Sequence, residues 1–269
     1  MNEGLPLWTA QSGFDVRLCW GAAGVRALGA ETGAPLGALV VVDVLRFTTA
    51  LDVAVGTGAR VFPLLWPDGP VDRAAYPGGT EVADATGPRR LSLSPATLRA
   101  LGPGDRVVLP SVNGSHCSTV AAGLGVPVVG GSLRNARAVA HWLLRTTAGR
   151  PAGPIAVVAC GERWPDGTLR PAVEDLLGAG AIVTALGQGD PARSSSPEAA
   201  AARAAFGSAR NDLERTLAAS VSGRELEAKG NADDIGWAAA LDVSSCVPVL
   251  GDDGAFGDDG AYDEPNGAR

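Results

Sequence analysis

The chain has a single lysine, Lys229, among its 22 basic residues, and only two histidines, His116 and His141, in 269 positions. Its formal net charge of −7 leaves no broad basic footprint of the kind that general nucleic-acid binding requires. Small anions are not excluded, because a few local arginines can hold them. The four cysteines (Cys19, Cys117, Cys160 and Cys246) are far apart and form no CxxC, which argues against a disulfide framework or a zinc knuckle. Each is expected to pack as a small core residue. No stretch approaches the ~20 consecutive apolar residues of a membrane span. The opening residues, MNEGLPLWTAQSG, lack a basic segment followed by an apolar run, so no signal peptide is read and a cytoplasmic location is the expectation.

Several catalytic signatures are also missing. There is no GxxxxGK[ST] phosphate loop and no GxGxxG at a strand-to-helix junction. There is no GxSxG nucleophile elbow. A cysteine-dependent phosphatase needs an arginine six positions after its cysteine, but those positions hold Gly123 and Asp166. A haloacid-dehalogenase phosphatase opens DxDx[TV], and here Asp43 is followed two residues later by Leu45.

What is present is an alternation of short apolar runs with helical patterns. Hydrophobic residues make up 46% of the chain, enough for a sizeable core. Strands are expected at 14–20, 39–44, 61–65, 107–110, 127–130, 155–160 and 247–250. Helices are expected at 48–57, 115–124, 135–147, 173–186, 197–220 and 232–241. Near-continuous apolar strands separated by helices predict an α/β fold, a three-layer α/β/α sandwich on a largely parallel sheet. One domain over 1–250, compatible with two similar halves, is expected. The Pro-, Gly- and Asp-rich stretch 66–91 reads as an insertion or lid-like loop. The acidic, Gly-rich residues 251–269 read as a disordered tail; their spacing does not fit a calcium-binding EF-hand loop. The Ala-rich "AAAARAAF" face is compatible with a homodimer.

Ligands of parallel α/β sheets bind beyond the carboxyl ends of the strands. Those ends deliver Asp43, Arg46, Thr48 and Thr49 after "VVV"; Ser111, Asn113, Gly114 and Ser115 in "LPSVNGSH"; Gly131, Ser132, Arg134 and Asn135 in "VVGGSLRNAR"; and Cys160, Gly161, Glu162 and Arg163 in "VVACGERW". Hydroxyls, amides, glycines and arginines at helix N-termini hold oxyanions, and phosphate is the economical choice. The same residue types also serve as ordinary helix caps, so Thr48, Ser132 and Asn135 have two readings. Asp43 either pairs with Arg46 or holds a metal while Arg46 holds an anion. Glu174 and Asp175, in "PAVEDLLGAGAI", either favour the helix dipole or face the same cleft. Hard oxygen donors such as Asp43, Glu174 and Asp175 suit Mg²⁺. A second arginine, Arg163 or Arg170, could hold a further acid group of the substrate.

Five segments, taken in order, resemble the 2-phosphosulfolactate phosphatase family: "VVVDVLRFTTALDVAVGTGA", "LPSVNGSHCSTVAA", "VVGGSLRNARAVAHWL", "VVACGERW" with "PAVEDLLGAGAIVTAL", and "SGRELEAKGNADDIGWAAALDVSSCVPVL". The resemblance implies an α/β/α fold and a Mg²⁺-dependent phosphatase, a step of coenzyme M biosynthesis, that converts 2-phosphosulfolactate to 3-sulfolactate. The residues matching its motifs are Asp43, Arg46, Thr48, Thr49, Asn113, Gly114, Ser132, Asn135, Cys160, Gly161, Glu174, Asp175, Gly180 and Asp234. Two rival readings are a phosphatase of another small substrate and a non-catalytic anion- or metabolite-binding module.

Overall fold

The computed structural model describes residues 11–30, 35–66, 71–148 and 153–260. The strands are β1 (Val16–Trp20), β2 (Ala38–Val42), β3 (Arg60–Leu65), β4 (Glu81–Val82), β5 (Arg106–Ser111), β6 (Val128–Gly131), β7 (Ile155–Ala159), β8 (Glu162–Arg163), β9 (Leu169–Arg170), β10 (Pro248–Leu250) and β11 (Phe256–Asp258). The helices are α1 (Gly21–Gly29), α2 (Phe47–Gly56), α3 (Pro95–Leu98), α4 (Gly114–Ala122), α5 (Ala136–Thr146), α6 (Val173–Gly189), α7 (Pro197–Ala209), α8 (Leu213–Ala219), α9 (Val221–Ala228) and α10 (Asp233–Ala239). None of the helices is long and apolar enough to cross a membrane, among the described residues.

Nine strands form one sheet in the order β1-β7-β2-β6-β10-β11-β3-β5-β4, and β8 and β9 make a separate antiparallel ribbon. The pairings β1–β7, β7–β2, β2–β6, β3–β5 and β5–β4 are parallel. The expected α/β architecture, a large and mostly parallel sheet flanked by helices, is therefore what forms. Every residue of β2 is fully buried, which is why "ALVVV" shows no polar alternation. Val40 and Val42 join a core with α5, α6 and α7. Leu39 and Val41 face α2 and α4 across the other side. The helix α2 packs against β3, β6, β10 and β11, and Phe47 through Val55 are all buried. An apolar strand and an apolar helix thus lead into and out of the loop 43–46, and they hold it still.

Three expectations need correction. Residues from 251 onward were expected to form a tail, yet Phe256 is fully buried and β11 lies in the sheet between β10 and β3. That hairpin makes the three antiparallel pairings of the sheet. Residues 261–269 lie outside the described residues. The single helix expected over 197–220 is broken into α7 and α8, and a further helix, α9, starts behind the Ser220 cap, whose Oγ accepts the Gly223 N–H at 2.9 Å. The 66–91 stretch also supplies structure, since β4 extends the sheet edge and Val71 and Tyr76 cover Phe62, Val82 and Val108.

Candidate active site

Two strand ends meet at Asp43. One carboxylate oxygen accepts the Phe47 N–H at 3.2 Å, and the other accepts the Gly114 N–H at 2.8 Å. The Ser111 hydroxyl lies 3.5 Å from that second oxygen. Gly114 is there because of the close approach: a Cβ would stand 2.7 Å from the Asp43 oxygen and run into the Phe47 ring. The two sequence-distant junctions, after β2 and after β5, are therefore joined through one carboxylate.

Burial pushes the Asp43 carboxyl up to about 7, and the neighbouring Glu162 and Glu174 charges add to the rise against the two amide bonds. Glu162, at the start of β8, is raised mainly by burial. The Asn113 side chain donates to its Oε2 at 2.8 Å. A cavity of ≈ 250 Å³ brings these groups together: Asp43, Arg46, Ser111, Asn113 and Glu162 line it, with Ser222, Glu225 and Lys229 contributed by α9 and the residue just beyond it. Lys229, the only lysine of the chain, pairs with Glu225 at 2.5 Å on this rim.

The remaining candidate residues divide by what they touch. Arg46 does line the cavity, but its ion-pair partner is Asp234 at 2.6 Å rather than Asp43. Asp234 also accepts from the Ser94 hydroxyl at 2.6 Å. Thr48 and Thr49 turn back onto the chain, their hydroxyls donating to the Asp43 and Val44 carbonyls at 2.8 and 2.7 Å. They lock the loop and do not face the cavity. Ser132 and Asn135 are fully buried and satisfy each other at the β6–α5 junction. The Asn135 amide continues to the Gly130 and Cys246 carbonyls, so both residues are bonded within the β6–α5 junction and neither lines the cavity. Gly161, at φ +67°, lets its N–H reach Asp175 where a side chain would strike Leu169 and Arg170. Arg170 is buried, donates to the Ser222 hydroxyl at 3.1 Å, and supports the cavity wall from behind.

Asp175, expected in the cleft, is bonded on both oxygens to backbone N–H groups. One of its oxygens accepts the Val44 N–H at 2.7 Å and the other accepts the Gly161 N–H at 2.8 Å. It is a buried clamp between the loops after β2 and β7, and burial together with the Asp43 and Glu174 charges raises its carboxyl well above the usual range. Glu174 is buried beside it and acts on Asp43 and Asp175 through its charge; it does not line the cavity. The expected ligand trio of Asp43, Glu174 and Asp175 is not assembled, and among the described residues no three His, Cys, Asp or Glu side chains converge as a metal cage. A Mg²⁺ ion needs no such cage, because it keeps several waters and takes one or two carboxylates together with substrate phosphate. Asp43 and Glu162, which share the cavity and are both kept from easy ionisation by burial, fit that donor set.

Glu162 was expected at a ligand-facing strand end but carried no assigned role, and neither the α9 groups nor Asp234 as the partner of Arg46 was read from the sequence. The signal for Glu162 was its place directly after the β7 strand end in "CGER". The pairing of Arg46 with Asp234 spans 188 residues and left no local trace.

Comparison with curated proteins returns no match. A family model described as 2-phosphosulpholactate phosphatase matches residues 89–253, more than half of the chain. The match covers Asn113, Gly114, Glu162, Asp175 and α9. Asp43 lies before it and is tied to it by the Gly114 bond. On this match the chain belongs to the 2-phosphosulpholactate phosphatase family and is a phosphoric monoester hydrolase.

Proposed function

We propose that the chain is a Mg²⁺-dependent phosphatase that hydrolyses the phosphate ester of 2-phosphosulfolactate, or of a closely related small phosphorylated acid, to the free hydroxy acid and phosphate. The observation that carries this reading is the Asp43 carboxylate. It is held in place by two backbone N–H groups at the floor of a cavity it shares with Glu162 and with the cations Arg46 and Lys229.

Asp43 and Glu162 would hold the cation, which supplies charge neutralisation at the phosphoryl group and an acidified water. The rest is done by the chain's own groups. The amides of Phe47 and Gly114 fix the direction of the Asp43 oxygens, and the Asn113 side chain fixes Glu162. Arg46, kept in place by Asp234, lines the cavity and would bind phosphoryl oxygens through its guanidinium. Lys229, paired with Glu225, adds a second cation to the lining. Preorganised donors of this type stabilise charge that develops in the transition state without reorganising. Asp175 does no chemistry and keeps the loops after β2 and β7 in register.

The decisive assay measures phosphate release from 2-phosphosulfolactate and from a panel of small phosphate esters, with Mg²⁺ and with EDTA. Metal-dependent release that favours the sulfonate ester is expected. Release only from other esters would keep the phosphatase and reject the substrate. Binding without release from any ester would replace the enzyme by an anion-binding module.

A further inference from the structure

A second cavity, of ≈ 240 Å³, lies against the one described above and shares Asn113 and Glu162 with it. We propose that it is an anion subsite that takes the non-phosphoryl acid group of the substrate, a carboxylate or sulfonate; this rests on the phosphatase reading for the name of the substrate, but not for the binding itself.

The argument begins with charge. Among the described residues, the lining of the first cavity carries the carboxylates Asp43, Glu162 and Glu225 against two cations, and both cations are already engaged: Arg46 with Asp234 and Lys229 with Glu225. A second negative group would be unwelcome there once the phosphate has entered. The neighbouring cavity has the opposite balance. Arg26 and Arg163 line it, and neither has an ion-pair partner among the described residues. Its one carboxylate is Glu162, which is already bonded to Asn113.

The geometry adds donors. The Arg163 guanidinium lies 3.0 Å from His116 Nδ1. A guanidinium can only donate, so Nδ1 accepts, and His116 is the neutral tautomer with its Nε2–H free to donate. The first turn of α1 forms part of the wall through Gly21 and Ala22, and no side chain caps that turn. Its leading N–H groups have no acceptor within the helix. Two guanidiniums, an imidazole N–H and these amides offer an oxyanion several donors at once, while the shared Asn113–Glu162 wall places that oxyanion next to the reacting phosphate.

Two measurements test the proposal on the full chain. In the first, sulfoacetate, a small dianion without phosphate, is titrated calorimetrically into the wild type and into the Arg26→Gln/Arg163→Gln double variant. Both arginines are exposed, so the fold is expected to survive, which circular dichroism would verify. The wild type should bind, and the double variant should lose tenfold or more in affinity. In the second, the ratio of kcat/KM for 2-phosphosulfolactate to that for p-nitrophenyl phosphate should fall tenfold or more in the same variant. No sulfoacetate binding by the wild type, or equal binding by both proteins, overturns the subsite. A ratio that stays within twofold overturns it as well. Absence of turnover on every ester, with the binding difference intact, would fell the phosphatase reading and leave the subsite standing.

Discussion

At the scale of single residues, Asp43 carries two separable roles, accepting backbone N–H groups and presenting charge. Asp43→Asn keeps the shape and one acceptor oxygen but loses the charge, so turnover should fall at least a hundredfold while the protein still folds. A variant with retained phosphate release would refute the assignment. Its stability profile gives an independent check. The Asp43 carboxyl is raised in the folded protein to about 7, against about 3.9 in an unfolded chain. Below the lower value both states are protonated. As pH rises toward 7 the unfolded state ionises first, so the wild type loses stability, by up to roughly 1.4 kcal/mol per pH unit, and levels off above it. In EDTA, urea titrations of wild type and Asp43→Asn from pH 4 to 8 should show the difference moving in favour of the variant; a flat difference would mean that Asp43 is not held protonated. Gly114→Ala tests the close approach behind it. The new methyl meets the Phe47 ring and the Asp43 oxygen, and a loss of about 1–3 kcal/mol in chemical denaturation is expected together with lost activity.

At the scale of elements, most strands and helices were legible because burial on both faces writes long apolar runs, as in β2 and β7. The acid directly after β2 also pointed to the site, since a buried strand rarely ends on a carboxylate without a use for it. Other features were hidden for physical reasons. Thr48, Ser132 and Asn135 are residue types that both cap helices and bind anions, and only their hydrogen bonds show that they turn inward. Asp175 is a first-turn acid of α6, but its two amide contacts come from outside the helix, from Val44, 131 residues away, and from Gly161, 14 residues away. Replacing it with alanine strands two buried N–H groups, so a loss of about 2–5 kcal/mol is expected, with a lower melting temperature as the readout. The contact between α6 and α7 was equally invisible. It depends on Gly180, where a Cβ would run into the Ala202 carbonyl and the Phe206 side chain. Gly180→Val should push the helices apart and destabilise the fold while leaving the cavity residues untouched; unchanged stability would show that α7 can shift without cost.

At the scale of the whole molecule, the strand-to-strand pairing that connects the two parallel blocks of the sheet runs, among the described residues, through the β10–β11 hairpin. The acidic composition of residues 251–259 concealed this, because one phenylalanine among aspartates and glycines carries the burial. Phe256 packs edge-on against Phe47, with ring centroids 6.5 Å apart, and so links the hairpin to the helix that follows Asp43. Phe256→Ala should cost about 3–5 kcal/mol, and a chain ending at residue 250 should fail to give a cooperative melting transition. A truncated chain that melts like the wild type would show that the hairpin is dispensable. The lone lysine on the cavity rim has a practical consequence. Amine-reactive chemistry has a single side-chain target in this protein, and that target guards the site entrance. A succinimidyl-ester dye attached to Lys229 would sit in the cavity lining, so its emission would respond to what enters the site.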